Sequence, residues 1–515
     1  MSDFLTAFRN RANEEPRKIA YFNSDGERID YGELDRASEV LGSAFMQFDP
    51  EKRPVVLYGH KSPLMYVGIF ACMKSGRAYV PVDTVFPEGR LVDILDQLGG
   101  GVLVNATDEP LAEASSHAGR YLALANLEEL LASDAAGELA REDEISGDDI
   151  MYIMFTSGST GKPKGVMMHA GSIDRFCTHF IDLLDARPTD VYFNRVPLSF
   201  DMSLFDMTAG LATGGTLFAM EKAAEEGLRP TFEALRECHA SQWVSTPSFI
   251  EACLADQSFC QEMMPDLRVI TLAGEVLRNS TALRILEAFP EARLINAYGP
   301  TEAESVSEMD ITREIAERFN PLPVGYMSPG MRAVIRNPET LEELGTDEVG
   351  EIYLAGCTVA KGYYQRPDLT QKAFSTYVDE EGEEVPCYKT GDKGYLDGEG
   401  RLFCLGRYDF QVKIGGFRIE IGDIEENLVA LPDVAQACVV PVFRDGAVTH
   451  VCAFVQMADP EADTSFSQTR QLKGKLKAVL PDYMVPRAFR YLDELPTNAN
   501  GKIDRKALGE LAGSR

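Results

Sequence analysis

Positive charge is what this chain has least of: 50 lysines and arginines face 81 aspartates and glutamates, a formal net charge of −31 at pH 7. That deficit argues against general binding to DNA, RNA or an anionic membrane through a basic face, so any phosphate ligand has to be met by a local site. Histidine is scarce too, with six dispersed residues and no His-Glu-x-x-His, which makes a dedicated transition-metal site improbable. The ten cysteines include no Cys-x-x-Cys pair and read as small buried hydrophobes with reduced thiols. Residues 1–10 carry no charged-then-apolar leader and no apolar run reaches bilayer length, so a cytoplasmic location without membrane insertion is expected. A Gly-x-Ser-x-Gly elbow is missing as well, and with it the usual acyl-serine machinery.

What remains is an ordinary folded composition, 45% hydrophobic and 25% charged, spread over 515 residues. One hydrophobic core seldom fills that length, so at least two domains are expected, one of them large. Short apolar runs at 102–105, 150–155, 243–245, 269–272 and 293–296 alternate with stretches of helical period, which predicts an α/β fold with several buried strands. Near Gly406 the texture changes. A run at 410–414, a Gly415-Gly416 break, a helix at 423–431 and two runs at 437–443 and 448–456 joined around Asp445-Gly446 predict a small α+β domain. The expected division is residues 1–408 and 409–515.

The densest chemistry follows the run 151–155: Thr156-Ser157-Gly158-Ser159-Thr160-Gly161-Lys162-Pro163-Lys164-Gly165. Glycines let a backbone approach closely, while hydroxyls, amides and ammonium groups meet anionic oxygens, so the string suits a polyphosphate loop. It is not a Walker loop, because only Ser159 and Thr160 separate Gly158 from Gly161 and Lys162 precedes a proline. A polar surface turn is the plain alternative for any Gly/Ser stretch.

The ten-residue string resembles the signature loop of the adenylate-forming superfamily, which holds acyl-CoA synthetases, luciferases and nonribosomal peptide adenylation domains. Further segments match that family in order: Ala273-Gly274-Glu275-Val276, Asn296-Ala297-Tyr298-Gly299-Pro300-Thr301-Glu302, Tyr388-Lys389-Thr390-Gly391-Asp392, Gly406-Arg407-Tyr408-Asp409 and the stretch 495–505 around Lys502. The resemblance implies a large amino-terminal domain of several subdomains with a small mobile α+β lid, and ATP with Mg²⁺ as cofactors. It implies that Tyr298 stacks on adenine beside the segment Gly274, Glu275 and Val276. Thr301 contacts the α-phosphate, Asp392 takes the ribose hydroxyls, Arg407 sits near ribose and phosphate, and Asn296, Ala297 and Gly299 complete the nucleotide contacts. Glu302 would hold Mg²⁺ between phosphate oxygens, a fitting role for a hard oxygen ligand. Thr156, Glu302 and Lys502 are the expected catalytic residues, Lys502 binding both the carboxylate and the phosphate oxygens, and Asp409 is the expected hinge, with Lys413, Gly415 and Gly416 on the thiol side.

Phe200-Asp201-Met202-Ser203 matches the segment in which amino-acid-activating relatives place an aspartate for the substrate ammonium; a helix-capping aspartate is the alternative. By the same resemblance Met202, Phe205, Ser248, Thr271, Ala273, Ala297, Ser305 and Val306 line the side-chain pocket, mostly small or neutral residues that disfavour a charged substrate side chain. Within the superfamily, the stretches 388–392, 409–413 and 481–486 resemble the D-alanine:D-alanyl carrier protein ligases. The sequence departs from them at Ala273, where cysteine is typical, and from common relatives at Gly415, where a larger polar or basic residue often stands. Little chain follows Lys502, so a separate phosphopantetheinylated carrier protein is the expected thiol partner of an amino-acid ligase. A coenzyme A ligase is the rival reading, and a non-catalytic nucleotide-binding regulator the third.

Overall fold

The structure is a computed structural model and describes residues 2–132, 139–158, 162–220, 227–444, 447–459, 464–497 and 503–513. Two large sheets carry most of the chain. The six-stranded sheet runs Arg120–Leu122, Val102–Asn105, Val55–Tyr58, Tyr79–Val82, Ile150–Thr156, Lys164–His169. All pairs are parallel except the last, which is the antiparallel hairpin whose connection holds the phosphate-loop string. Val55–Tyr58, Tyr79–Val82 and Val102–Asn105 are buried at every position, as parallel strands covered on both faces require.

The nine-stranded sheet runs Tyr326–Met327, Ser307–Asp310, Arg293–Tyr298, Val269–Leu272, Gln242–Ser245, Val191–Asn194, Thr216–Ala219, Ile19–Asn23, Arg28–Asp30. Its centre is parallel and its two edges antiparallel. The faces divide cleanly with the period of two: Val269, Ala273, Ile295 and Ala297 join a core shared with the six-stranded sheet, while Ile270, Leu272 and Leu294 join a second core beneath the helices on the other side. A five-stranded antiparallel sheet, 331–407, packs beside them.

After Arg407 come the hairpin Gln411–Ile414 with Phe417–Glu420, the helix Ile421–Val429 and a three-stranded sheet of Val434–Arg444, Ala447–Met457 and Ala488–Tyr491. One face of that sheet, through Val439, Val451 and Ala453, packs with Val412, Ile424 and Leu472. The other, through Cys438, Val440, Cys452 and Phe454, packs with Leu495, Ile503 and Leu508. The helix expected at 423–431 is Ile421–Val429, displaced by two residues because the strand ahead of it ends at Glu420. The Asp445-Gly446 turn lies outside the described residues. Among the described residues no helix is long and apolar enough to cross a membrane, and the ten cysteines are free thiols.

Candidate active site

Parallel strands all end on one edge, and an open α/β sheet offers its ligand crevice there. Ala273, Gly274 and Glu275 follow Val269–Leu272, the turn 299–306 follows Arg293–Tyr298, and Asp201 follows Val191–Asn194 just before the helix Ser203–Thr213. The turn is tight: a Cβ on Gly299 would strike the carbonyl oxygen of Glu304. These ends open into a cleft lined by Asp201, Met202, Phe205, Ala273, Gly274, Gly299, Thr301 and Ser305, with Asp392 and Arg407 from the five-stranded sheet and Gln411, Lys413, Gly416 and Arg418 from the hairpin.

The charged groups at this edge are tightly partnered. Glu302 is fully buried. Its Oε1 accepts from the Tyr363 hydroxyl at 2.7 Å and its Oε2 from Arg418 Nη1 at 2.6 Å, with Lys164 Nζ 3.5 Å away. Burial opposes ionisation of this carboxyl, and the Arg418 guanidinium and Lys164 ammonium overcome it, holding Glu302 well below the usual carboxylate range. Asp392 accepts from the Tyr298 hydroxyl at 2.6 Å and from Arg407 Nη1 at 2.5 Å. Arg407 reaches on to both oxygens of Asp409 at 2.6 Å. Asp201 differs. Burial pushes its carboxyl above the ordinary aspartate range, and the Thr301 hydroxyl and Lys413 offset that only in part.

The hairpin seals the cleft from the far side. Gly416 N donates to Glu275 Oε1 at 2.8 Å, while Glu275 Oε2 accepts from Ser248 N at 3.0 Å. Gly416 has φ +83°, and a Cβ there would lie 2.5 Å from Thr246 Cγ2, so a glycine is required twice over. Ser157 Oγ donates to the Arg418 carbonyl at 3.0 Å and accepts from Glu420 N at 3.1 Å, tying the phosphate loop to the same hairpin. Phe417 stacks on Tyr483 at 4.0 Å and meets Phe200 edge-on at 5.1 Å.

Of the residues singled out in the sequence, Asp201, Met202, Phe205, Ala273, Gly274, Gly299, Thr301, Ser305, Asp392 and Arg407 border one cleft. Thr156 and Ser157 border the adjoining cavity with Asp201 and Thr301, and Thr156 Oγ1 is buried without a partner. Thr271, Asn296, Ala297, Tyr298 and Val306 are buried in the sheet and turn behind the wall. Ser248 is exposed, and Val276 is 63% exposed, turned outward past Glu275. Ser159, Thr160, Gly161 and Lys502 lie outside the described residues. Thr497 and Ile503, which flank Lys502, pair with each other, and Ile503 packs on the face of the small sheet opposite the hairpin. Sequence reasoning missed Tyr363, Arg418 and Glu308. Tyr363 gave no signal, because its hydroxyl meets Glu302 across 61 residues of chain; Arg418 could have been suspected from its place just after Gly415-Gly416.

A hard cation asks for oxygen ligands. Glu302 offers an ionised carboxylate, but among the described residues no three His, Cys, Asp or Glu side chains cluster to make a cage. The fit is therefore to a cation completed by phosphate oxygens, not to a metal held by protein alone.

Comparison with known proteins agrees with this geometry. Residues 8–364 match the AMP-binding enzyme family and residues 423–502 its C-terminal domain family. A D-alanine--D-alanyl carrier protein ligase of Bacillus licheniformis is 36% identical over 98% of this chain and 99% of its own length. The protein of the same name from Bacillus velezensis is 37% identical with the same coverage. Among solved structures, an NRPS protein containing adenylation and PCP domains, bound to a vinylsulfonamide inhibitor, superposes with a TM-score of 0.83 at 24% identity, over 98% of this chain and 83% of that one. An o-succinylbenzoate CoA synthetase of Bacillus subtilis gives 0.82 at 22% identity over 99% and 98%. At those identities the structures speak to fold alone. The family matches and the full-length relatives place the chain in the AMP-binding, adenylate-forming enzyme family.

Proposed function

We propose that this chain is an AMP-forming ligase that activates an amino acid with an uncharged side chain as its aminoacyl adenylate and then passes the aminoacyl group to the phosphopantetheine thiol of a carrier protein. The observation that carries the reading is the convergence of Asp201, Thr301, Asp392 and Arg407 on one cleft at the strand ends, closed over by a hairpin that contacts the phosphate loop.

Each group has a task that its surroundings suit. Asp201, half-buried at the cleft wall and with its desolvation only partly offset by Thr301 and Lys413, gains most from an incoming ammonium; an acid without one leaves the carboxyl under-paired. The nucleotide sits toward Asp392, whose remaining lone pairs accept from ribose hydroxyls. Thr156, with its unpartnered Oγ1, and the loop after it donate to phosphate oxygens. Lys502 supplies a cation at the reacting oxygens. The substrate carboxylate oxygen attacks the α-phosphorus, the bond to pyrophosphate breaks, and the acyl adenylate forms; a thiolate then attacks the acyl carbon and AMP leaves. Glu302 would hold Mg²⁺, which would supply charge neutralisation at the phosphate oxygens.

Arg418 occupies Glu302 in the present arrangement, and the flanks of Lys502 lie on the opposite face of the small sheet. Both facts support a second arrangement of residues 409–515 for the first half-reaction, with Asp409 as the hinge. In the present arrangement Arg418 is the partner of Glu302 and prevents an uncompensated buried charge. Free thiols throughout the chain support a cytoplasmic site of action.

The test is isotope exchange between pyrophosphate and ATP with panels of amino acids and fatty acids. Exchange should depend on an amino acid, D-alanine being the first to try because the relatives are named for it. Selective stimulation by fatty acids would overturn the amino-acid reading.

A further inference from the structure

The inner wall of the cleft is less apolar than a pocket for a methyl group should be. Ala297 and Glu308 pair across adjacent antiparallel strands, so their side chains share one face of the nine-stranded sheet, and Ala273 stands on the neighbouring strand of that face. Thr271, two residues before Ala273, points the same way.

Ser305 borders the cleft and donates its one proton to Glu308 Oε1 at 2.8 Å. Glu308 is held in turn, with Oε2 accepting from Ser328 Oγ at 2.9 Å and lying 3.0 Å from His179 Nε2. The Ser305 hydroxyl cannot rotate away without abandoning a buried carboxylate, so what it offers the cleft is lone pairs. Thr271 Oγ1 is buried, 1% exposed, and has no hydrogen-bond partner, which leaves both a donor and acceptors unused. Glu304 also borders the cleft with Oε1 unpartnered, and burial favours its neutral acid form, so it adds a hydrogen-bonding oxygen and not a fixed anion. Unpaired buried oxygens are costly, and a chain of them beside a substrate cavity is satisfied when the substrate brings the missing partner.

We propose that the amino acid activated here carries a hydroxyl on its side chain, which donates to Ser305 Oγ at the cleft wall, with Glu308 and His179 as positioning residues that fix the Ser305 proton. The proposal rests on the reading of the cleft as an amino-acid adenylation site. A pocket built to hydrogen-bond a hydroxyl discriminates against the analogue lacking it far more strongly, by roughly 10⁴-fold, than an apolar pocket discriminates against an added hydroxyl, roughly 10²-fold.

The experiment is pyrophosphate exchange by the full chain with ATP and Mg²⁺ on matched pairs, in both enantiomers: serine with alanine, threonine and homoserine with 2-aminobutyrate, tyrosine with phenylalanine, together with ornithine and a fatty acid. One hydroxyl member should exceed its partner in kcat/KM by at least about 100-fold. In Ser305→Ala that ratio should fall at least about tenfold, and Glu308→Gln should lower it by less, with circular dichroism confirming that both variants fold. A deoxy member used as well as its hydroxyl partner, or ornithine used best, overturns this inference and leaves amino-acid activation standing. Exchange with the fatty acid alone overturns both. The substrate pairs need no variant, so a misfolded mutant cannot shield the proposal.

Discussion

The two ends of the cleft are built on opposite electrostatic plans. At the nucleotide end the buried charged groups among the described residues are paired: Glu302 with Arg418 and Lys164, Asp392 with Arg407, Arg407 with Asp409. At the acyl end the groups are neutral or under-paired: Thr271 and Ser305 hydroxyls, the Glu304 oxygen, and Asp201, whose burial is only partly offset. Phosphoryl chemistry needs strong fields whichever acid is activated, whereas choosing one acid needs groups whose satisfaction depends on the substrate. Pairing within the protein keeps the first set ready in the absence of ligand; hydrogen-bonding capacity left unused in the second set makes the substrate the missing partner.

The contrast can be broken most forcefully at Glu302. Glu302→Gln leaves Arg418 and Lys164 only their longer ion pairs with Glu420, each at 3.8 Å, so loss of exchange by at least about 10²-fold is expected, with destabilisation of about 3 kcal/mol in denaturant unfolding. A variant that kept native stability would show that the charged end is not internally balanced. Asp201→Ala probes the other end. There kcat/KM for the amino acid should fall roughly 10²-fold while ATP affinity, measured by calorimetry, stays within about twofold, because the carboxyl faces the acyl side. Equal losses for both ligands would erase the distinction between the ends.

Gly416→Ala acts on the hairpin joining them. Its φ of +83° and the nearby Thr246 methyl should weaken the bond to Glu275, slowing thiol transfer by about tenfold with a smaller change in exchange. Single-turnover assays of each half-reaction separate the two. The mildest test is pH. The raised Asp201 carboxyl binds ammonium only when ionised, so KM for the amino acid should climb as pH falls, beginning above the range of an ordinary aspartate. Asp201→Asn should flatten that limb of the profile.

Much of this was legible in the chain itself, for identifiable reasons. Buried parallel strands such as Val102–Asn105 and Val269–Leu272 write themselves as short apolar runs, and the loop string from Thr156 and the segment from Asn296 keep their chemistry contiguous. What could not be read were contacts across long separations. Arg418 meets Glu302 across 116 residues, and His179 meets Glu308 across 129, so neither the capped state of the carboxylate nor the fixed proton of Ser305 leaves a local pattern. Val276 shows the opposite hazard, since a contiguous motif says nothing of which way each of its side chains turns.

Aminoacyl transfer itself is the most direct trial of the account. The intact mass of a phosphopantetheinylated carrier protein, recorded after incubation with this chain, ATP, Mg²⁺ and a mixture of amino acids, should rise by one aminoacyl residue and only when ATP is present. A carrier of unchanged mass beside acylated coenzyme A would contradict it.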